Sequence, residues 1–219
     1  MAKNKTITSK DLVSWYMDDV LAHSEQPKSV YAFAKAHNFE EQKFYEFFGS
    51  FEALEKDVFK TFHEVTLQVL EKSEDYKGFD ARNKLLSYYF TFFENLTANR
   101  SYVKASLERH KNGLKGLSVL SRLRECFIQY IDALDIETLE LKQEQIEKFQ
   151  KRALSESAWI QFLLTLKFWM EDTSAGFEKT DVFIEKSVNT SFDVLNIAPL
   201  KSLVDFGKFI FKEKSHFNL

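Results

Sequence analysis

The sequence predicts an all-α protein, and three observations carry that expectation. Only 6 Gly and 2 Pro occur in 219 residues, so the material for hairpins and tight turns is scarce. Apolar residues recur at helical spacing through nearly every segment. The hydrophobic fraction of 44% beside a charged fraction of 29% is that of a globular chain with a packed core.

The first helix is expected from about Thr8 to His23, where Leu12, Val13, Tyr16, Met17, Val20 and Leu21 form one stripe. Pro27 and its polar neighbours break the pattern. Ser29 is placed to cap a short helix whose Val30, Phe33 and Ala34 face inward. His37-Asn38 supplies a turn, because Asn tolerates the left-handed conformation. A helix is expected over 40–48, with Phe44 and Phe48 one turn apart, before Gly49 ends it and Ser50 starts a long helix towards Leu70. Two short helices around a tight turn, followed at once by a third, are the outline of a helix-turn-helix.

A polar break is expected over 71–79. Beyond it, the segment 82–96 is apolar on most sides, which predicts a helix buried on most sides or bordering a cavity. Further helices are expected over about 102–111 and 117–134. The segment 137–170 reads as one bent helix or two, charged at first and strongly apolar from Trp159 onward. A loop over 171–177 precedes a helix over 180–195. Pro199 then separates an amphipathic tail in which Leu200, Leu203, Val204, Ile210 and Phe211 oppose Lys201, Asp205, Lys208 and Lys212.

Composition also bounds function. A net charge of −3 gives no global attraction to nucleic acid. The single Cys126 allows no internal disulfide and fits a reducing cytosol. The start of the chain lacks an export signal, and no apolar run approaches the roughly 20 residues that span a bilayer, so a cytoplasmic protein is expected. Five scattered histidines offer no metal-ligand spacing, and no phosphate-binding glycine loop or nucleophile elbow occurs. No cofactor, metal or enzymatic activity is expected. The 23 Phe are less ordinary. Such rings either fill a Phe-rich core or line a cavity, and on the second reading Tyr89, Phe90, Phe93, Phe127, Tyr130, Phe162 and Trp169 are candidates to surround a pocket for a small apolar ligand or lipid.

Ser29-Val30, Phe33-Ala34-Lys35-Ala36, Phe44-Tyr45, Phe48-Gly49-Ser50, Glu52 and Leu54 together resemble the DNA-binding domain of the TetR family of regulators. The resemblance implies a three-helix DNA-binding-like domain over 1–54 and a helical ligand-binding and dimerisation domain over 55–196. Residues 197–219 would form the amphipathic tail. It further implies a homodimer, held by a four-helix interface between the last large helices, on a palindromic double-stranded operator. Ser29 would meet a phosphate, and Gln42, Lys43 and Tyr45 would meet the duplex.

Glu41 and Phe51 depart from that pattern at positions where basic residues are frequent. A second stretch, Phe168 to Ser174 with Phe177, Thr180, Phe183-Ile184 and Val188, is similar to a TetR-like group. That group includes the lipid-binding accessory protein of ubiquinone biosynthesis. It implies an alternative: a lipid or isoprenoid carrier without DNA recognition, touching membranes through its terminal helix.

Overall fold

A computed structural model of the protein describes residues 7–109, 118–136 and 144–195. The predicted amphipathic tail over 197–219 lies outside them. The described residues are predominantly helical, without a strand among them.

The helices are α1 (Ser9–His23), α2 (Val30–Ala36), α3 (Glu41–Tyr45), α4 (Phe51–Leu70), α5 (Glu74–Gly78), α6 (Ala81–Ala98), α7 (Arg100–Arg109), α8 (Ser121–Ala133), α9 (Glu144–Glu171) and α10 (Glu178–Leu195). A single turn of 3-10 helix, Ala175–Phe177, joins the last two. Two expectations change, and one open alternative is decided. The helix expected over 40–48 contracts to α3, five residues long, because the chain tightens after Tyr45 and both Phe47 and Phe48 amides turn back to the Phe44 carbonyl. The polar break contains the short α5. The described part of the segment 137–170 is one helix.

Two compact units emerge, and neither is a single stretch of chain. Among the described residues, one comprises 7–73, 91–109 and 118–129 and the other 74–90, 130–136 and 144–195, so α6 and α8 contribute to both.

In the first unit, local signals set the ends of the helices. The Thr8 hydroxyl accepts the Asp11 amide while Asp11 accepts the Thr8 amide, a reciprocal cap at α1. Ser29 caps α2 and Ser50 caps α4 from one side, accepting the Ala32 and Ala53 amides. Leu12, Tyr16 and Val20 turn inward from α1, whereas Leu21 is 46% exposed. α4 buries Leu54, Val58, Phe59 and Phe62 on one face.

That face also carries Glu55, 2% exposed. Its Oε1 accepts the Tyr16 hydroxyl of α1 at 2.8 Å and the Arg109 guanidinium of α7 at 2.6 Å. A buried carboxylate is tolerated only when paired and hydrogen-bonded, and here one oxygen collects donors from two other helices. Burial and the Glu55 carboxylate push the Tyr16 phenol well above its ordinary range, so it acts as a donor. Farther along α4, burial lowers His63 to about 4.

In the second unit, Tyr88 stacks on Tyr130 at 4.5 Å and Trp159 stacks on Phe162 at 5.2 Å. The Tyr130 hydroxyl donates to the Lys84 carbonyl and meets the Tyr76 hydroxyl, each at 3.0 Å, tying α5, α6 and α8 together. The Ser155 hydroxyl donates to Asp132, linking α9 to α8.

Candidate functional site

The N-terminal candidates sit on an aromatic scaffold. Asn38 takes φ 52° after α2, the left-handed turn expected of it, and the Phe39 amide returns to the Ala34 carbonyl at 3.0 Å. Phe33 lies edge-on to Phe44 at 6.2 Å and to Phe51 at 5.6 Å, so α2, α3 and the start of α4 share one core. His37 stacks on Trp15 and meets Asp19 at 3.1 Å, which fastens the end of α2 to α1.

On this scaffold Gln42 and Tyr45 face solvent, Tyr45 at 53% exposure. Ser29 is exposed; its hydroxyl oxygen accepts the Ala32 amide as the α2 cap, and its proton is left to donate. Lys43 is half-buried; its ammonium pairs with Glu46 and lies 5.4 Å from the Phe47 ring centroid. The four predicted contacts therefore come from α3 and the α2 cap, with the lysine held by its own helix. Electrostatics oppose a polyanion here, since residues 7–54 carry four lysines against eight carboxylates.

The seven aromatic candidates divide between the units. Phe93 and Phe127 belong to the first, and Tyr89, Phe90, Tyr130, Phe162 and Trp169 to the second. Phe127, Tyr89, Phe162 and Trp169 are fully buried, Phe93 and Tyr130 nearly so, and Phe90 is 39% exposed. Tyr89 and Phe162 pack against each other at 5.9 Å.

Two concave regions of the second unit are lined by none of these seven residues. An open groove of about 720 Å³ runs along α9 and α10, with Phe168, Val182 and Phe183 in its floor. A cavity of about 700 Å³ lies between Phe79, Arg82 and Lys84 on one side and Leu134, Asp135 and Phe192 on the others. Sequence reasoning missed this cavity. Its residues come from three distant segments, and helical periodicity registers only neighbours within a few turns.

The α9–α10 hairpin holds a further unpredicted device. Asp172, 7% exposed, accepts the Ser174 amide and hydroxyl through Oδ1, at 2.8 and 2.7 Å. Its Oδ2 accepts the Thr180 amide and hydroxyl at 3.0 and 2.7 Å. Gly176 and Phe177 both take left-handed φ values in the turn so enclosed, 62° and 61°. Desolvation pushes the Asp172 carboxyl up, but the Ser174 and Thr180 bonds outweigh it and leave the group well below the usual carboxylate range.

A folded-state value below the unfolded one contributes stability that is present above the unfolded value and lost as pH falls. Asp172→Asn is thus expected to lower the thermal midpoint at pH 7, with the gap from the wild type closing below about pH 4. Thermal scans across that range check it, and a gap unchanged with pH would refute the assignment.

No curated protein and no solved structure matches the chain. A family model described as the tetracyclin repressor-like, C-terminal domain matches residues 84–210, from the start of α6 past the end of α10. That match covers more than half of the 219 residues of an all-α chain, and the protein belongs to the tetracyclin repressor-like (TetR) family.

Proposed function

We propose that this protein is a cytoplasmic, ligand-responsive transcription regulator, a repressor, that binds a palindromic operator as a homodimer. The carrying observation is the arrangement of α2, the Asn38 turn and α3 ahead of a TetR-type C-terminal domain, with Gln42 and Tyr45 facing solvent. A recognition helix reads base edges with side chains of this kind, while serine at a neighbouring helix start positions phosphates. α4 begins at the Ser50 cap, directly after the turn that ends α3. A ligand that shifts α4 would therefore change the separation of two recognition helices across a dimer.

One observation favours a second reading, a lipid or isoprenoid carrier that has lost DNA recognition. Glu46 and the Phe47 ring hold the Lys43 ammonium, and Glu40 and Glu41 stand at the start of the same helix. No described helix is long and apolar enough to cross a membrane.

Binding of the purified protein to a random duplex pool, with sequencing of the retained DNA, separates the two. The regulator is expected to enrich a palindrome. Tyr45→Ala is expected to weaken operator binding about tenfold, and Lys43→Ala to reduce the slope of log affinity against log salt by about 1. Absence of enrichment at low salt, with the protein folded, would exclude the regulator and leave the carrier.

A further inference from the structure

We infer that the cavity between the start of α6, the end of α8 and the end of α10 is a binding site for an amphiphile with a single anionic carboxylate head. Its volume of about 700 Å³ lies within the roughly 300–1,000 Å³ typical of small-molecule sites. The walls are apolar on several sides: Phe79 before α6, Leu134 and Ile136 after α8, and Phe192 and Leu195 on α10. An apolar body is what such walls retain.

The charged groups of the lining select the head. Arg82 is committed, with its guanidinium 2.7 Å from Asp193 and 5.5 Å from the Phe192 ring centroid, so it forms part of the wall. Asp80 is committed as well, its carboxylate accepting the Asn83 amide at 2.8 Å in the first turn of α6. Lys84 is the cation of the lining not so committed. It is half-buried, and among the described residues no carboxylate stands within ion-pair distance of its ammonium. A carboxylate placed there acquires a charge-assisted partner that is itself half-buried. Asp80 and the exposed Asp135 line the same cavity, and their repulsion of an anionic head grows with its charge. A monoanion therefore fits better than a phosphate monoester.

The site also has a route to the helices around it. The Lys84 carbonyl accepts the Tyr130 hydroxyl, which in turn meets Tyr76, so an occupant beside Lys84 adjoins the point where α5, α6 and α8 are tied. This assignment supplies the ligand half of the proposed regulator and rests on that reading only for its biological consequence. Binding itself is tested on DNA-free protein.

The probe is dodecanoate, titrated calorimetrically into the full chain below its aggregation concentration, with dodecanol and dodecyltrimethylammonium as neutral and cationic counterparts. Saturable binding of dodecanoate at least tenfold tighter than either counterpart is expected. Lys84→Met is expected to abolish that preference and Lys84→Arg to keep it. Because Lys84 bonds Tyr130 through its backbone, these substitutions leave that tie in place. Leu134→Asp is expected to remove binding of dodecanoate altogether, with Ile136→Asp as a second test of the wall if the first variant does not fold. Absence of saturable binding, equal binding of dodecanol, or affinity unchanged in Lys84→Met or in the wall variants would each overturn the site. A failure here leaves operator enrichment unaffected, and a failure of operator enrichment leaves the titration unaffected.

Discussion

Arg109→Met is expected to destabilise the protein by about 3 kcal/mol, because it strands a buried carboxylate. Glu55 is 2% exposed and its Oε1 receives both the Tyr16 hydroxyl and the Arg109 guanidinium. Removing the cation takes the opposite charge away from a buried carboxylate. Removing one partner of a buried pair costs roughly 3–5 kcal/mol, and the lower end applies here because the Arg109 side chain is 24% exposed. The double variant Glu55→Gln/Arg109→Met is expected to be more stable than Arg109→Met alone. The amide oxygen keeps the Tyr16 bond and no buried charge remains. Urea denaturation of the three proteins decides the matter. A single-variant loss under about 1 kcal/mol, with no recovery in the double, would show that Glu55 is not held by this pair.

The second large effect is on self-association. Ile160 and Leu164 of α9 and Val182 of α10 are exposed at 58%, 55% and 47%, beside the groove floored by Phe168 and Phe183. Those two rings stack at 4.6 Å, which gives the groove a flat aromatic base. Ile160 and Leu164 are one turn apart on the same face, and a surface this apolar is characteristic of a protein interface. We expect a dimer through this face, and Leu164→Glu is expected to weaken it roughly 100-fold by burying a carboxylate, a cost of about 3 kcal/mol. Gln68→Glu, on the exposed side of α4, serves as the control and should leave the dimer intact. Sedimentation over a concentration series measures both. A wild type that stays monomeric at micromolar concentration, or a Leu164→Glu protein that stays dimeric, would refute this surface.

Much of the fold was legible because its signals are local. Ser29 and Ser50 were expected as helix caps, and each accepts the amide three residues on. Asn38 was expected to turn the chain, and its φ of 52° does so. The α1 stripe was partly legible: Leu12, Tyr16 and Val20 are buried, but Leu21 lies outward, since helical spacing identifies a face without fixing its width. The length of α3 was not legible. Phe44 and Phe48 suit a continuous helix by spacing, whereas packing against Phe33 and Phe51 draws the chain into a tighter turn after Tyr45.

The candidate sites divide along the same line. Gln42, Lys43 and Tyr45 were identifiable as neighbours on one short helix, but the pairing of Lys43 with Glu46 and its seat over Phe47 are matters of side-chain placement. The aromatic residues were identifiable as core material, and Phe127, Phe162 and Trp169 are fully buried. Composition does not tell a ring that fills a core from one that lines a cavity, because both are apolar and both sit at helical spacing.

By itself the sequence determined an all-α chain, the start of each capped helix, and a net-acidic N-terminal segment, since propensity, capping and charge act within a few residues. Tertiary structure alone decided that Glu55 meets donors 39 and 54 positions away, that Asp172 closes the α9–α10 turn, and that Lys84 faces a cavity bounded by Leu134 and Phe192. Those outcomes depend on which helix faces come together, and the burial that drives such packing is non-directional, so no local pattern in the chain encodes the partners.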